Sequence, residues 1–300
     1  MPAPTSRRNI LRMLGYGAGG TATALLGTSQ YGVWIEPQLL QLKRVQIPLR
    51  RLPSALEGFR IVYLSDFHLY PHTMIDFIQN AVDMANDLKP DLVALGGDYV
   101  TARRSSPPGD VDEMFELAPV LARLNAKYGV FAVLGNHDHW RGDLSRDRGG
   151  ENTVRQALEK SGIPVLVNSG VTLNIGRQRI YLAGVDDGWV QLNDLPKALE
   201  KHPGGVPTIV LMHAPDFADE FQKDERIDLQ LSGHSHGGQV RFPLIGSPFC
   251  PPYGKKYDMG RYRVGNMWLY TSVGLGVTAP IRFNCRPEVT EITLTATQEV

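Results

Sequence analysis

Carboxylates, imidazoles and a carboxamide recur in this chain at the ends of short apolar runs. Residues 61–64 lead into Ser65-Asp66-Phe67-His68, residues 92–95 into Gly96-Gly97-Asp98, and residues 130–134 into Gly135-Asn136-His137-Asp138. Further on, residues 209–212 lead into His213 and residues 229–231 into Gly233-His234-Ser235-His236. Carboxylate, imidazole and amide donors without thiolate suit a hard or borderline divalent ion such as Mn, Fe or Zn rather than a sulfur-rich structural site. In Asp66-x-His68 and in His234-x-His236, residues two apart on extended backbone point to one side, so each pair is expected to converge on one small volume. One carboxylate, with Asp98 the candidate, could bridge two ions about 3.5 to 4 Å apart. Two dications against few acidic ligands leave a net positive site, and a phosphate is its natural occupant. Glycines beside Asp98, Asn136, His234 and His236 permit the backbone angles and close approach that such packing needs.

The elements that would position these groups read as an α/β fold. Five short apolar runs, each closed by turn residues, read as buried strands of a sheet. Residues 39–49 alternate as a half-buried strand, and 60–65 form the next strand. Helical periodicity over 71–88 and again over 110–126 separates strands at 90–97 and 128–134. This βαβαβ beginning puts the carboxyl ends of parallel strands on one edge, where open α/β sheets bind ligands. Asp66, Asp98 and Asn136 fall on that edge.

After a polar loop over 139–150 and a helix near 151–160, closely spaced strands are expected at 165–167, 171–175 and 179–185, joined by turns that suit antiparallel pairing. A helix over 192–199 follows, then strands at 209–212, 229–231, 268–273 and 289–294. Two sheets packed face to face, with helices outside, accommodate both halves.

Composition narrows the classes. The chain has 300 residues, 42% of them hydrophobic and 21% charged, which suits one large domain, expected over 32–300, behind a leader over 1–31. The 31 basic and 31 acidic residues cancel, so no global field draws the protein to nucleic acid. Locally, Arg7, Arg8, Arg12, Lys43, Arg44, Arg50 and Arg51 stand against Glu36 alone in the first 51 residues. That bias is either ordinary leader charge or an attraction to anionic lipid head groups and so a peripheral membrane contact.

Ser6-Arg7-Arg8-Asn9-Ile10-Leu11 before the glycine-rich apolar run 14–27 has the layout of a twin-arginine export signal, cleaved near Ala22-Thr23-Ala24 or kept as an anchor. Export predicts a periplasmic location or the outer face of the cytoplasmic membrane, with the cytoplasmic face as the alternative. Cys250 and Cys285 either pair in an oxidising compartment or remain unpaired and buried.

Taken in order, Asp66-x-His68, Gly97-Asp98, Gly135-Asn136-His137-Asp138, His213 and Gly233-His234-Ser235-His236 resemble the five-block signature of the calcineurin-like metallophosphoesterases. The stretch Gly233 to Val240 is similar to an exported or membrane-associated bacterial branch that includes UDP-diacylglucosamine pyrophosphate hydrolases. The resemblance implies a four-layer α/β/β/α sandwich and a dinuclear site holding two divalent ions, Mn first with Fe or Zn as alternatives. It implies that Asp66, His68, Asp98 and His236 hold one ion, that Asp98, Asn136, His213 and His234 hold the other, and that His137 is a catalytic imidazole outside the ligand set.

Asp138 either orients His137 or is a solvated loop carboxylate. Thr101-Ala102-Arg103-Arg104 departs from the Asp-Arg-Gly that follows the second block in Ser/Thr protein phosphatases, which disfavours that branch. His72 and His139 are expected in structural roles, and His202 in an exposed loop. Asp216 either supports an imidazole or lies at the surface. Arg103, Arg104, Arg141 and Arg146 either clamp substrate phosphate or form solvated faces. The Pro- and Gly-rich excursion over 242–260 either borders a groove for an amphipathic substrate or is a plain surface loop.

The expected reaction is metal-assisted hydrolysis of a phosphodiester or pyrophosphate, with a UDP-diacylglucosamine-like, lipid-linked pyrophosphate as the candidate. A cell-wall polymer, another extracytoplasmic phosphoester, or metal-stabilised binding without turnover are the alternatives.

Overall fold

Period-two alternation along the strands sets the layers of the molecule. The computed structural model describes residues 28–101, 112–140 and 153–297. Its strands are β1 (Gln41–Leu49), β2 (Arg60–Leu64), β3 (Leu92–Leu95), β4 (Val130–Ala132), β5 (Ser169–Ile175), β6 (Gln178–Gly184), β7 (Thr208–Leu211), β8 (Leu229–Ser232), β9 (Gly260–Val264), β10 (Met267–Thr271) and β11 (Glu288–Ala296). On β2, Ile61 and Tyr63 enter one apolar cluster, and Val62 and Leu64 enter another on the opposite face. On β7, Ile209 and Leu211 join the cluster of Ile61, whereas Val210 enters a third. A fully buried strand therefore fills two cores at once, which is why these runs are apolar throughout.

The strands form two sheets, in the orders β1-β11-β2-β3-β4 and β5-β6-β7-β8-β10-β9. The middle core, with Tyr63 and Leu92 from one sheet against Leu182 and Leu231 from the other, is where they pack face to face. Helices α1 (Ile75–Asp87), α2 (Asp112–Leu121) and α4 (Thr153–Lys160) cover the outer face of the first sheet, with α3 (Asn136–Trp140) lying between α2 and α4 in sequence. Helix α1 turns Phe77, Ile78, Ala81, Val82 and Ala85 inward at helical spacing. Short helical turns around Ala198 and Phe221 cover the second sheet. The result is a four-layer α/β/β/α sandwich.

β2, β3 and β4 run parallel, as do β6, β7, β8 and β10. The βαβαβ beginning and the antiparallel β5–β6 pair follow the sequence pattern. Residues 165–167 do not form a strand of that meander. Val165 makes a single parallel bridge to Ala132 and extends the first sheet beyond β4, because Pro164 and the left-handed Asn168 (φ 46°) bound too short a run. β9 was not anticipated. Its exposed Arg261 and Arg263 hide the strand signal, and it is an edge strand whose guanidinium groups lie 4.9 and 5.1 Å from the Trp268 ring.

β1 and β11 pair in parallel from Gln41↔Glu288 to Leu49↔Ala296, tying the two ends of the domain together. Both cysteines are free thiols, Cys285 buried and Cys250 partly so. Among the described residues, no helix is long and apolar enough to cross a membrane. The leader lies outside the described residues. Leu182 is fully buried between the sheets, so Leu182→Ala is expected to lower unfolding stability by about 2–5 kcal/mol, measured as a shift of the urea midpoint.

Candidate metal centre

The loops after β2, β3, β4, β7 and β8 are knitted together by their backbones before any side chain is considered. Asp66 N–H donates to the Gly97 carbonyl (2.9 Å), His68 N–H to the Asp98 carbonyl (3.1 Å) and Gly233 N–H to the His213 carbonyl (3.0 Å). Carboxylates continue the weave. Asp66 Oδ1 accepts from His234 N–H at 2.8 Å, and Asp98 Oδ1 from His137 N–H at 2.9 Å. Asp66, His68, Asp98, His234 and His236 all have positive φ, between 42° and 69°. Left-handed backbone costs non-glycine residues about 1–2 kcal/mol each, and the interlocking hydrogen bonds hold it in place. A Cβ on Gly135 would lie 2.3 Å from Asp98 Oδ1, so the third loop approaches the second as closely as it does because Gly135 has no side chain.

Extended geometry therefore does not explain convergence. Asp66 and His68 do share a volume, but His234 and His236 separate, because both are left-handed and His236 opens a short 3₁₀ turn. Ligand atoms of Asp66, His68 and His236 lie within 4.8 Å of one another, as do those of Asp98, His213 and His234, and those of His68, Asp98 and His137. Asp98 Oδ2 stands between the groups, 3.0 Å from His213 Nε2 and 3.5 Å from His68 Nε2. His68 Nε2 and His236 Nε2 are 3.0 Å apart. Two ring nitrogens that close need a proton or a cation to share.

The donor set fits divalent ions. His213 Nδ1 faces the Gly96 carbonyl at 2.7 Å, which makes it a donor there and directs Nε2 at the cluster. His234 Nε2 faces the Pro252 carbonyl at 2.8 Å, which leaves Nδ1 inward. Neither His68 Nδ1 nor His236 Nδ1 has a hydrogen-bonding partner, and neither has either amide atom of the fully buried Asn136. Such groups are costly inside a protein unless something satisfies them.

Electrostatics agree. Burial works to raise the Asp98 carboxyl, yet His213, His137 and His68 together hold it well below its usual range. Burial lowers His213, but Asp98, Asp66 and Asp187 outweigh it and lift this imidazole to about 10. Burial and then His137 push His68 well down, and burial and then His213 push His234 to about 4. His236 is lowered by burial first and by the Arg282 guanidinium second. Carboxylates that force a proton onto one buried imidazole while its neighbours stay neutral make a site short of positive charge, which two dications would supply.

Asp138 is not a solvated carboxylate. It is 1% exposed and accepts from the backbone N–H groups of Asp98 (2.9 Å), Tyr99 (2.8 Å) and Gly135 (2.8 Å), clamping the second loop to the third. Burial followed by the Asp98 charge raises it to about 7. His72 is exposed. His139 pairs with Asp186 at 2.7 Å, and this partner outweighs burial and raises the imidazole. His202 is partly buried against Tyr181 and Thr208 rather than exposed, since the loop folds back on β6 and β7. Asp216 receives the backbone N–H groups of Lys255, Lys256 and Tyr257, not an imidazole. Arg103, Arg104, Arg141 and Arg146 lie outside the described residues.

A further set of residues near the site lies outside the sequence motifs. Asp186 and Asp187 follow β6 as Asp66 follows β2, and burial raises Asp187 to about 6. That run-then-carboxylate pattern was the available signal. Trp189 packs edge-on to His234, with centroids 5.4 Å apart. Arg282 is fully buried, with its terminal nitrogens on the carbonyls of Cys285, Val273, Gly274 and Gly276. It holds the 273–276 loop against Asp66, and nothing local in the sequence foretells this. A cavity of about 900 Å³ is lined by Asp98, His137 and His234 and also by Val240, Phe249 and Lys255.

The model of the calcineurin-like phosphoesterases matches residues 59–238. The chain belongs to this family. The phosphoesterase is 33% identical to the uncharacterized metallophosphoesterase YkuE of Bacillus subtilis, over 97% of this chain and 98% of that protein. It is 34% identical to phosphodiesterase YaeI of Escherichia coli, over 96% and 99%. It is 28% identical to UDP-2,3-diacylglucosamine pyrophosphatase LpxG of Chlamydia muridarum, over 85% and 89%. Family membership and the converging clusters make this phosphoesterase a metal-dependent hydrolase with a dinuclear site. Asp138→Ala is expected to cost about 1–3 kcal/mol for each backbone donor it strands, read as a lowered urea midpoint of the purified enzyme.

Proposed function

We propose that this phosphoesterase cleaves a phosphodiester or pyrophosphate bond in an amphipathic envelope molecule, with a UDP-diacylglucosamine-like lipid as the candidate substrate. The observation that carries this reading is the cavity. Asp98, His137 and His234 share its walls with Val240, Phe249 and Ile281, and Lys255 adds a cation. An anionic phosphoryl group and an apolar tail would each meet matching chemistry there. The similar proteins YaeI, a phosphodiesterase, and LpxG, a pyrophosphatase, agree with the bond type. Action outside the cytoplasm rests on the twin-arginine-type leader, and a lipid- or wall-linked phosphoester available there is the corresponding substrate.

In this reading Asp66, His68, Asp98 and His236 hold one cation, and Asp98, Asn136, His213 and His234 hold the other. Mn suits the mixture of oxygen and imidazole donors, as do Fe and Zn. Ions held there would supply Lewis acidity toward phosphoryl oxygens and lower the pKa of a water. The chain's own groups do the remaining work. Asp98 sets the spacing between the two clusters. His137, half-buried on the cavity wall with its backbone tied to Asp98 Oδ1, stabilises the charge on the reacting phosphoryl group or gives a proton to the leaving oxygen. Trp189 closes one side of His234 and excludes water from it.

Elemental analysis and turnover together test the assignment. Asp98→Ala is expected to lose bound metal and activity in parallel, whereas His137→Ala keeps its metal while turnover falls about 10²–10⁴-fold. A fully active His137→Ala enzyme would refute the role given to that imidazole. On Mn-, Fe- or Zn-loaded enzyme, a lipid-linked pyrophosphate should be hydrolysed faster than a water-soluble diester of similar leaving group, and chelation should abolish both reactions. The opposite preference would remove the amphipathic substrate. Cell fractionation of Arg7→Lys/Arg8→Lys should show loss of export.

A further inference from the structure

We propose that an apolar crest beside the cavity, formed by Phe242, Leu244, Ile245 and Phe249 with Trp34 and Ile35, docks on an anionic lipid bilayer and turns the cavity mouth toward it. These side chains are among the most exposed large apolar groups described, at 46%, 108%, 79% and 73% for the loop and 70% and 50% for the preceding pair. Scattered apolar residues are ordinary on a protein surface, but a cluster at the rim of a functional cavity is not.

The loop is built to display them. Phe242 and Gly246 exchange backbone hydrogen bonds at 2.9 and 3.0 Å, and Leu244 takes a left-handed φ of 68° at the tip of this tight hairpin. Residues held in that way do not fold back over the cavity. The two parts of the crest are joined through a shared neighbour. Arg282 N–H donates to the Gly32 carbonyl at 2.8 Å, Phe283 N–H to the Gln239 carbonyl at 2.8 Å, and Arg241 N–H to the Phe283 carbonyl at 2.9 Å. The turn at Tyr31–Ile35, the segment 281–283 and the root of the hairpin are therefore side by side.

Charge and chain direction favour a bilayer over a second copy. From Val240 to Tyr257 the sequence has no Asp or Glu but includes Arg241, Lys255 and Lys256. Arg241 and Lys256 are paired with Asp258 and Asp219, while Lys255 makes no ion pair among the described residues and also lines the cavity. That leaves an exposed cation where lipid phosphates would sit. Leu244 is fully exposed at the hairpin tip, a shape that a deformable bilayer accepts and a rigid partner would have to match with a socket. The sequence just before Trp34 continues into the apolar run 14–27, behind Arg7, Arg8 and Arg12, so the chain enters the domain at the crest carrying further apolar and basic residues.

The test uses the full chain and vesicles of phosphatidylethanolamine and phosphatidylglycerol, without substrate, so that its outcome is independent of which phosphoester is cleaved. Leu244→Asp/Ile245→Asp is expected to lower the vesicle-bound fraction about tenfold or more, with hydrolysis of a soluble diester unchanged. Leu244→Trp gives a readout that binding through residues 1–27 alone would not move. Its added emission should shift to the blue on vesicles and be quenched by brominated lipid, measured as the difference from the parent chain. Vesicle-bound protein whose added emission is neither shifted nor quenched would overturn the proposal. A blue shift that grows with protein concentration in the absence of vesicles would assign the crest to a second copy and overturn it as well.

Discussion

Buried carboxylates brought to one place with too little positive charge to balance them are the constraint around which this molecule is built. Asp66 and Asp98 are at most 1% exposed, and Asp98 Oδ2 lies within 3.5 Å of two different imidazoles. Removing carboxylates from water costs several kcal/mol each unless partners compensate. Here the compensation is shared among backbone N–H groups, imidazoles and the cations that the cluster and the Asn136 amide would hold. The same imbalance that makes so many buried carboxylates costly is what favours dications there.

Holding that arrangement explains features remote from it. Two sheets are needed because the clustered candidate ligands come from both: the ends of β2, β3 and β4 supply Asp66, His68, Asp98 and His137, and the ends of β7 and β8 supply His213, His234 and His236. Sliding either sheet by one residue would reverse which side chains face the middle core, so the packing of Tyr63 and Leu92 against Leu182 and Leu231 also fixes the distance between the ligand sets. Asp138 and Arg282 serve the same end from opposite sides. One ties the Asp98 loop to the Gly135 turn, and the other braces the 273–276 loop that presses on Asp66. Gly274, with φ 70°, lies so close that a Cβ there would be 2.5 Å from that of Asp66.

The cavity links this centre to the least protein-like part of the surface. A loop rich in proline and glycine, without an acidic residue from Val240 to Tyr257, carries both the Phe249 wall and the exposed Leu244–Ile245 tip. Reacting groups held rigidly and a rim left apolar are distinct physical tasks, and the chain assigns them to different segments: strand ends for the first, the long excursion between β8 and β9 for the second.

Much of this was legible in the residues because two periodicities and a short list of donor types are local properties. Apolar runs ending in Asp66, Asp98, Asn136, His213 and His234 announced the strands, their direction and the ligand edge without any coordinates. The same signal was present at Asp186 and Asp187 and would have led to them. The edge strand β9, whose arginines mask its alternation, left no comparable trace.

What the sequence by itself determined is the inventory: which groups can bind, in what order, and on which kind of element. Tertiary structure decided how they are divided. His234 and His236 part company because left-handed backbone turns them to different neighbours, and Asp138 faces three amides rather than water because β3 and β4 are adjacent. Arg282 reaches beneath Asp66 from far along the chain. Such outcomes depend on contacts between segments distant in sequence, and no local pattern of residues encodes a distance across two sheets.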